Sequence, residues 1–90
     1  MIAITRLWEA HLGLAATEKE LADKTARFLK AELKRAGVTY AELAKRLEPH
    51  GLKETEASIS NKLSRGTIAA TFLLATLAAL EMEGLRLEDL

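Results

Sequence analysis

Residues 37–66, GVTYAELAKRLEPHGLKETEASISNKLSRG, decide the fold of this chain. Thr39 is followed three residues later by Glu42, which is the spacing of a capping box at a helix start. Pro49 prevents that helix from continuing, and Thr55 can cap the helix that follows. The stretch therefore predicts two short helices joined by a turn.

Positive charge is concentrated in the middle of a chain whose formal net charge is zero. Residues 27–66 contain nine Lys or Arg against five acids, whereas residues 67–90 contain one against four. An approaching polyanion responds to the local field more than to the total charge. The central segment is therefore the part of the chain that we expect to meet a polyanion.

Helices are also predicted on both sides of this segment. A further capping box, at Thr17 and Glu20, begins a long helix that should end before Gly37. Residues 69–81 are apolar on nearly every helical face. We expect that helix to be central to the fold and to share one surface with another subunit.

The composition predicts an all-α fold. Hydrophobic residues make up 49% of the chain but aromatic residues only 4%, and no stretch alternates as a strand would. With an amphipathic stripe at residues 4–13 and a last turn at 84–90, the helices form a compact bundle of about five to six. We expect one domain over residues 1–90, with an N-terminal helical extension at 1–16 and the core at 17–90.

Several classes of protein find no support in the sequence. Cysteine is absent, which excludes disulfides and thiolate metal sites and favours the reducing cytoplasm. His11 and His50 are isolated, so no metal ligands are predicted. No nucleophile and base pattern occurs, and we predict no enzyme activity, no cofactor and no small-molecule substrate. The start of the chain does not resemble a signal peptide, and no apolar run approaches the about 20 residues that span a bilayer, so no membrane is expected.

The second helix of the central segment has the residue types of a major-groove reader. Its apolar face, Ile59 and Leu63, leaves four outward residues that are small, polar or basic: Ser58, Asn61, Lys62 and Arg65. Asn bonds adenine bidentately, and Lys or Arg reaches guanine or phosphate. Thr39 and Tyr40 would place amides and a hydroxyl against a phosphate. A face that is merely solvated has the same residue types, and Arg65 would also stabilise the negative end of the helix dipole.

Several short segments carry a family resemblance. They are FLKAELKRAGVTYAELA (28–44), ISNK (59–62), SRG (64–66), LAAL (77–80) and GLRLEDL (84–90). With them the chain resembles the Cro/repressor (lambda-repressor-like, or Xre-type) helix-turn-helix domains, and more narrowly a family of small, uncharacterised bacterial domains. The resemblance implies a bundle of about five helices, sequence-specific DNA binding and frequent dimerisation. The turn here is several residues longer than is usual in those domains, and Tyr40 stands where they often have Gln.

We therefore predict a sequence-specific DNA-binding module, a transcriptional regulator that binds double-stranded DNA as a homodimer. The helix at residues 55–65 would enter the major groove. Base edges would be read by Ser58, Asn61 and Lys62. Phosphates would be held by Thr39, Tyr40, Lys53 and Arg65.

The alternative hypothesis is a protein-interaction or dimerisation module that has the helix-turn-helix shape and does not bind DNA. The neutral total charge, the acidic ends and the apolar helix at residues 69–81 favour it. Trp8, Phe72 and Leu74 would then anchor a partner helix or a second subunit. A continuous positive face would favour the first hypothesis, and an exposed apolar groove would favour the second.

Overall fold

Four α-helices and two short 3-10 turns form residues 17–90, the part of the chain that this computed structural model describes. In chain order the helices are α1 (Glu18–Ala36), α2 (Tyr40–Leu47), α3 (Glu56–Arg65) and α4 (Ala70–Ala79). The 3-10 turns are Glu48–His50 and Leu87–Asp89. Residues 17–90 contain no β-strand, which confirms the all-α prediction for that part of the chain.

Within residues 17–90 the structure has four α-helices, whereas the predicted bundle of five to six places five there. Residues 84–90 contribute a single 3-10 turn rather than a helix, because so short a segment cannot repay the cost of nucleating an α-helix. The helix predicted at residues 4–13 lies outside the described residues. Within residues 17–90 the bundle therefore has four α-helices.

Local capping groups define α1 and α2 where the sequence predicted them. The Thr17 hydroxyl accepts a hydrogen bond from the Glu20 amide at 3.1 Å, and the Thr39 hydroxyl accepts one from the Glu42 amide at 3.1 Å. Gly37 ends α1 in the left-handed region, with φ 70°. The predicted starts of both helices and the end of α1 are confirmed.

A hydrogen-bonded turn over residues 48–55 connects α2 to α3. It begins with the 3-10 turn that contains Pro49, so α2 ends where the sequence predicted. Gly51, with φ 84°, donates its amide to the Glu48 carbonyl at 2.9 Å. The Leu52 amide donates to the carbonyl that ends α2, and its side chain packs on the core, as predicted. These contacts tie the turn to the core and fix where α3 begins.

The core lies between the four helices, and α3 contributes to it through Ile59 and Leu63, as predicted. Its largest fully buried apolar side chains are Leu29, Leu43, Leu47, Ile59, Leu63 and Phe72. Burying each side chain of this size contributes about 1.5–3 kcal/mol. None of the described helices, α4 included, combines the length and the apolar character that a bilayer-spanning helix requires.

The C-terminal end of α3 lies very close to α1. Gly66 ends α3 in the left-handed region with φ 69°, and a β-carbon at this position would lie 3.2 Å from the Ala22 β-carbon. Any side chain here would both strain the backbone and press against α1. Gly66 therefore satisfies the helix end and the close approach of two helices together.

Thr76 is a buried polar residue of the core, in α4. Its side chain is fully buried, and its hydroxyl has no hydrogen-bond partner among the described residues. An unsatisfied buried hydroxyl is unfavourable, so we expect Thr76→Val to raise the free energy of unfolding by about 1 kcal/mol. Urea denaturation measures the change. Thr71→Val, on the exposed side of the same helix, is the control and should stay within about 0.5 kcal/mol of wild type. A lower stability for Thr76→Val would contradict the prediction.

Candidate nucleic-acid interface

The first turn of α3 is closed by two reciprocal hydrogen bonds. Thr55 Oγ1 accepts from the Ser58 amide at 3.0 Å, and Ser58 Oγ accepts from the Thr55 amide at 2.8 Å. The sequence predicted Thr55 as the cap but assigned the Ser58 side chain to a base. In the structure the Ser58 hydroxyl belongs to the helix cap, and this cap fixes the direction in which α3 leaves the turn.

Glu54, immediately before this cap, joins Ser58 to Lys62. The Ser58 hydroxyl donates to Glu54 Oε1 at 2.7 Å, and the Lys62 ammonium forms an ion pair with Glu54 Oε2. The Glu54 side chain is 9% exposed and that of Lys62 35%. The Lys62 ammonium also lies 5.2 Å from the centre of the Phe72 ring, a cation–π distance. We call Glu54, Ser58 and Lys62 the Glu54 cluster.

The Glu54 cluster keeps its carboxylate charged. Burial raises the pKa of Glu54, but the hydrogen bonds from Lys62 and Ser58 and the positive charge of Lys62 outweigh burial, and the net pKa is lowered. A lowered pKa in the folded state means that the charged form is the one stabilised by folding. Lys62 and Ser58 are therefore held by a carboxylate that is ionised at neutral pH.

The free energy of unfolding should decrease at acidic pH, because protonation of Glu54 weakens the Glu54 cluster. Because the pKa of Glu54 is lower in the folded than in the unfolded chain, its contribution is complete above the unfolded-state pKa. It is lost as the pH falls through the lower folded-state pKa. We expect the difference in free energy of unfolding between wild type and Glu54→Gln to shrink across that acidic range, measured by urea denaturation at a series of pH values. Glu56→Gln removes the same charge from an exposed neighbour and is the control. A difference that grows towards low pH would contradict the assignment.

Opposite its buried residues, α3 presents an exposed face of small side chains. We call this set the α3 outer face: Ala57, Ser60, Asn61 and Ser64. These positions recur at spacings of three and four residues, so they lie on one side of the helix. The Asn61 side chain makes no hydrogen bond with another described residue. Arg65 is exposed beside this face, at the C-terminal end of α3.

The predicted phosphate-binding residues are spread over three elements. The Thr39 hydroxyl caps α2, and the half-buried Tyr40 side chain packs on the core. Lys53 is exposed in the turn before α3, and Arg65 is exposed at its end. Within residues 17–90 these four side chains make no hydrogen bond or ion pair with one another. Lys53 and Arg65 are thus the two predicted phosphate ligands with exposed cationic side chains.

Residues 21–85 match a protein family described as a domain of unknown function, DUF6471. The chain belongs to the DUF6471 family. The DUF6471 match begins in α1, contains α2, α3 and α4, and includes the Glu54 cluster. It confirms the coarser part of the resemblance, a small uncharacterised domain, while the helix-turn-helix assignment stays a prediction. No curated protein and no solved structure gives a significant match to the chain.

The outer face of α3 in this DUF6471 domain includes residues that the sequence prediction left out. Ala57, Ser60 and Ser64 are exposed beside Asn61, whereas Ser58 and Lys62 are partly buried in the Glu54 cluster. The spacing of Ile59 and Leu63 places Asn61 opposite the core, but it does not show which flank of α3 is covered by other residues. That flank is decided by Glu54 and by the ring from α4, neither of which belongs to α3.

The three predicted partner contacts of the DUF6471 chain have different positions. Trp8 lies outside the described residues. Phe72 is only 2% exposed, because its ring fills the core beside α3. Leu74 is 64% exposed on the opposite side of α4. Phe72 is therefore a core residue. Among the described residues, Leu74 is the predicted partner contact whose side chain is exposed.

Proposed function

We propose that this DUF6471 protein binds double-stranded DNA by placing α3 in the major groove, and that it acts as a transcriptional regulator. The observation that supports this most is the α3 outer face, which is exposed, free of bulky apolar side chains and centred on Asn61. The major groove is about 12 Å wide and admits one helix whose outward residues are small or polar. In this proposal α2, the turn and α3 form a lambda-repressor-like helix-turn-helix.

The proposed roles follow from the chemistry of the exposed groups. Asn61 offers both a donor and an acceptor, the pair that adenine requires for a bidentate contact. Ser60 offers a hydroxyl that bonds either type of base edge, and the Ser64 hydroxyl, which donates to the Asn61 carbonyl at 3.2 Å, offers an acceptor. Lys53 before α3 and Arg65 at its end would hold phosphates on either side of the groove. Ser58 would act by holding the first turn of α3 rather than by reading a base.

A homodimer completes the proposal. Helix-turn-helix proteins commonly bind as dimers whose reading helices reach half-sites about one helical turn apart. Leu74 on α4 is exposed, with exposed Ala70 and Ala78 one turn before and after it, and this apolar stripe offers a surface for a second copy. The same stripe supports the second candidate function, a protein-interaction module that does not bind DNA.

Asn61→Ala tests the proposed reading role. Selection from a random duplex library would first give the preferred sequence. Loss of a bidentate contact should then weaken binding to that sequence by about 1–3 kcal/mol and relax the preference at one base pair. Gel-shift titration of the preferred duplex and of its single-base variants measures both effects.

Thr71→Ala, exposed on α4, is the control, because it removes a polar side chain away from the α3 outer face. An Asn61→Ala protein with unchanged affinity and base preference would remove that residue from the proposed site. If the selection enriches no duplex sequence at any salt concentration, that result would favour the interaction module instead.

A further inference from the structure

Glu54 is an anion placed beside the helix that we propose for DNA binding. Its side chain is almost completely buried, and its two oxygens bind the hydroxyl of Ser58 and the ammonium of Lys62. Both of these groups have the chemistry that holds a DNA phosphate. The Glu54 carboxylate therefore binds two donor groups, of Ser58 and Lys62, that could otherwise bind a phosphate.

Lys62 is held away from the α3 outer face by two contacts. Its ammonium is paired with Glu54 Oε2 and lies over the ring of Phe72, so the aliphatic part of the side chain follows the flank of α3 towards α4. The side chain nevertheless keeps about a third of its surface exposed. Four rotatable bonds allow the ammonium to leave the carboxylate for a nearby phosphate without any change in the backbone.

We propose that Glu54 competes with DNA phosphate for Lys62 and thereby limits the affinity of α3 for DNA. This inference rests on the proposed function. Glu54 is a positioning residue here, because it acts through Lys62 and does not itself contact DNA. With Glu54 ionised, Lys62 stays on the protein and contributes little to phosphate binding. When the carboxylate is neutralised, Lys62 becomes an additional phosphate ligand.

The size of the effect follows from counterion release. One additional cationic contact from each subunit of the proposed dimer makes the slope of log K against log salt steeper by about 1.8, which corresponds to roughly a sixtyfold gain in affinity at about 0.1 M salt. Glu54→Gln is the informative change, because the amide has the same shape and its oxygen still accepts from Ser58. Glu56→Gln is the matched control, since it removes one negative charge from an exposed position two residues away.

The experiment measures binding of a random-sequence DNA duplex at a series of NaCl concentrations. We expect the Glu54→Gln dimer to bind roughly sixtyfold more tightly than the Glu56→Gln dimer at about 0.1 M salt, with a slope steeper by about 1.8. In the Lys62→Ala background, Glu54→Gln should give no gain beyond that of Glu56→Gln. A merely structural role for Glu54 would not change the salt slope.

Several results would overturn the inference. If both glutamine variants gain equally, or if the gain survives in Lys62→Ala, Glu54 does not act through Lys62. In those cases salt-dependent binding by the wild type leaves the proposed function intact. If neither the wild type nor Glu54→Gln binds the duplex at low salt, the proposed function fails and this inference fails with it.

Circular dichroism melting shows whether Glu54→Gln remains folded. If it does not remain folded, carbon-13 NMR of the wild-type protein tests the inference instead, by measuring the pKa of the Glu54 carboxyl with and without the duplex. Adding the duplex should raise the pKa of Glu54, because DNA binds more tightly to the form whose protonated carboxyl releases Lys62. A pKa of Glu54 that does not rise, or that rises equally in Lys62→Ala, would overturn the inference.

Discussion

Replacing Phe72 with alanine is expected to lower the free energy of unfolding by about 3–5 kcal/mol. The ring is fully buried among the core residues of all four helices, so truncation both loses apolar contacts and leaves a cavity. It also removes the aromatic face beneath the Lys62 ammonium. Urea denaturation followed by circular dichroism measures the loss.

Leu74→Ala is the matched control for Phe72→Ala, because it truncates an apolar side chain two residues away on the exposed side of the same helix. We expect its free energy of unfolding to stay within about 0.5 kcal/mol of wild type at a concentration where the protein is monomeric. Equal losses for the two variants would contradict the core assignment of Phe72. A concentration-dependent loss for Leu74→Ala alone would support the proposed dimer surface.

Affinity for duplex DNA is expected to fall by roughly a hundredfold when salt rises from about 50 mM to about 200 mM. In the proposed dimer four cationic side chains contact phosphates, Lys53 and Arg65 of each subunit. Each contact releases a condensed counterion, so affinity falls with the power of salt concentration that these contacts set. Fluorescence anisotropy of a labelled duplex at several NaCl concentrations measures the slope.

Arg65→Ala should reduce that salt effect to about tenfold, because it removes one contact from each subunit. Lys34→Ala, which removes an exposed cation from α1 instead, is the control and should leave the slope unchanged. An affinity that does not depend on salt would argue against phosphate contacts altogether. A slope changed equally by both variants would indicate a diffuse electrostatic attraction rather than contacts at the ends of α3.

The helix boundaries could be predicted from the sequence because their signals are local. A capping hydroxyl acts on an amide three residues away, as Thr17, Thr39 and Thr55 do, and the left-handed conformation of Gly37 needs no distant partner. The buried face of α3 could be predicted equally well, since two apolar residues four positions apart define one side of a helix.

The exact membership of the candidate site could not be predicted in this way. Ser58 and Lys62 have the composition of outward residues, but Glu54 and the ring of Phe72 draw them to one flank of α3. That ring lies ten positions after Lys62 in the chain, and only the packing of α4 brings the two together. The pattern of residues 69–81 likewise showed an apolar helix without showing which of its side chains face outward. Such choices depend on tertiary contacts, which a single-helix pattern does not contain.

The tight fit of Gly66 against Ala22 has a consequence for how this domain can diversify. These two positions determine how far the end of α3 can settle towards α1, yet neither belongs to the outer face that would meet a nucleic acid. A larger residue at position 22 would push the C-terminal end of α3 away from α1. This shift would change the orientation of all the outward side chains of α3 together. If α3 reads DNA as proposed, the residue at position 22 would therefore change target preference without any change in the α3 outer face.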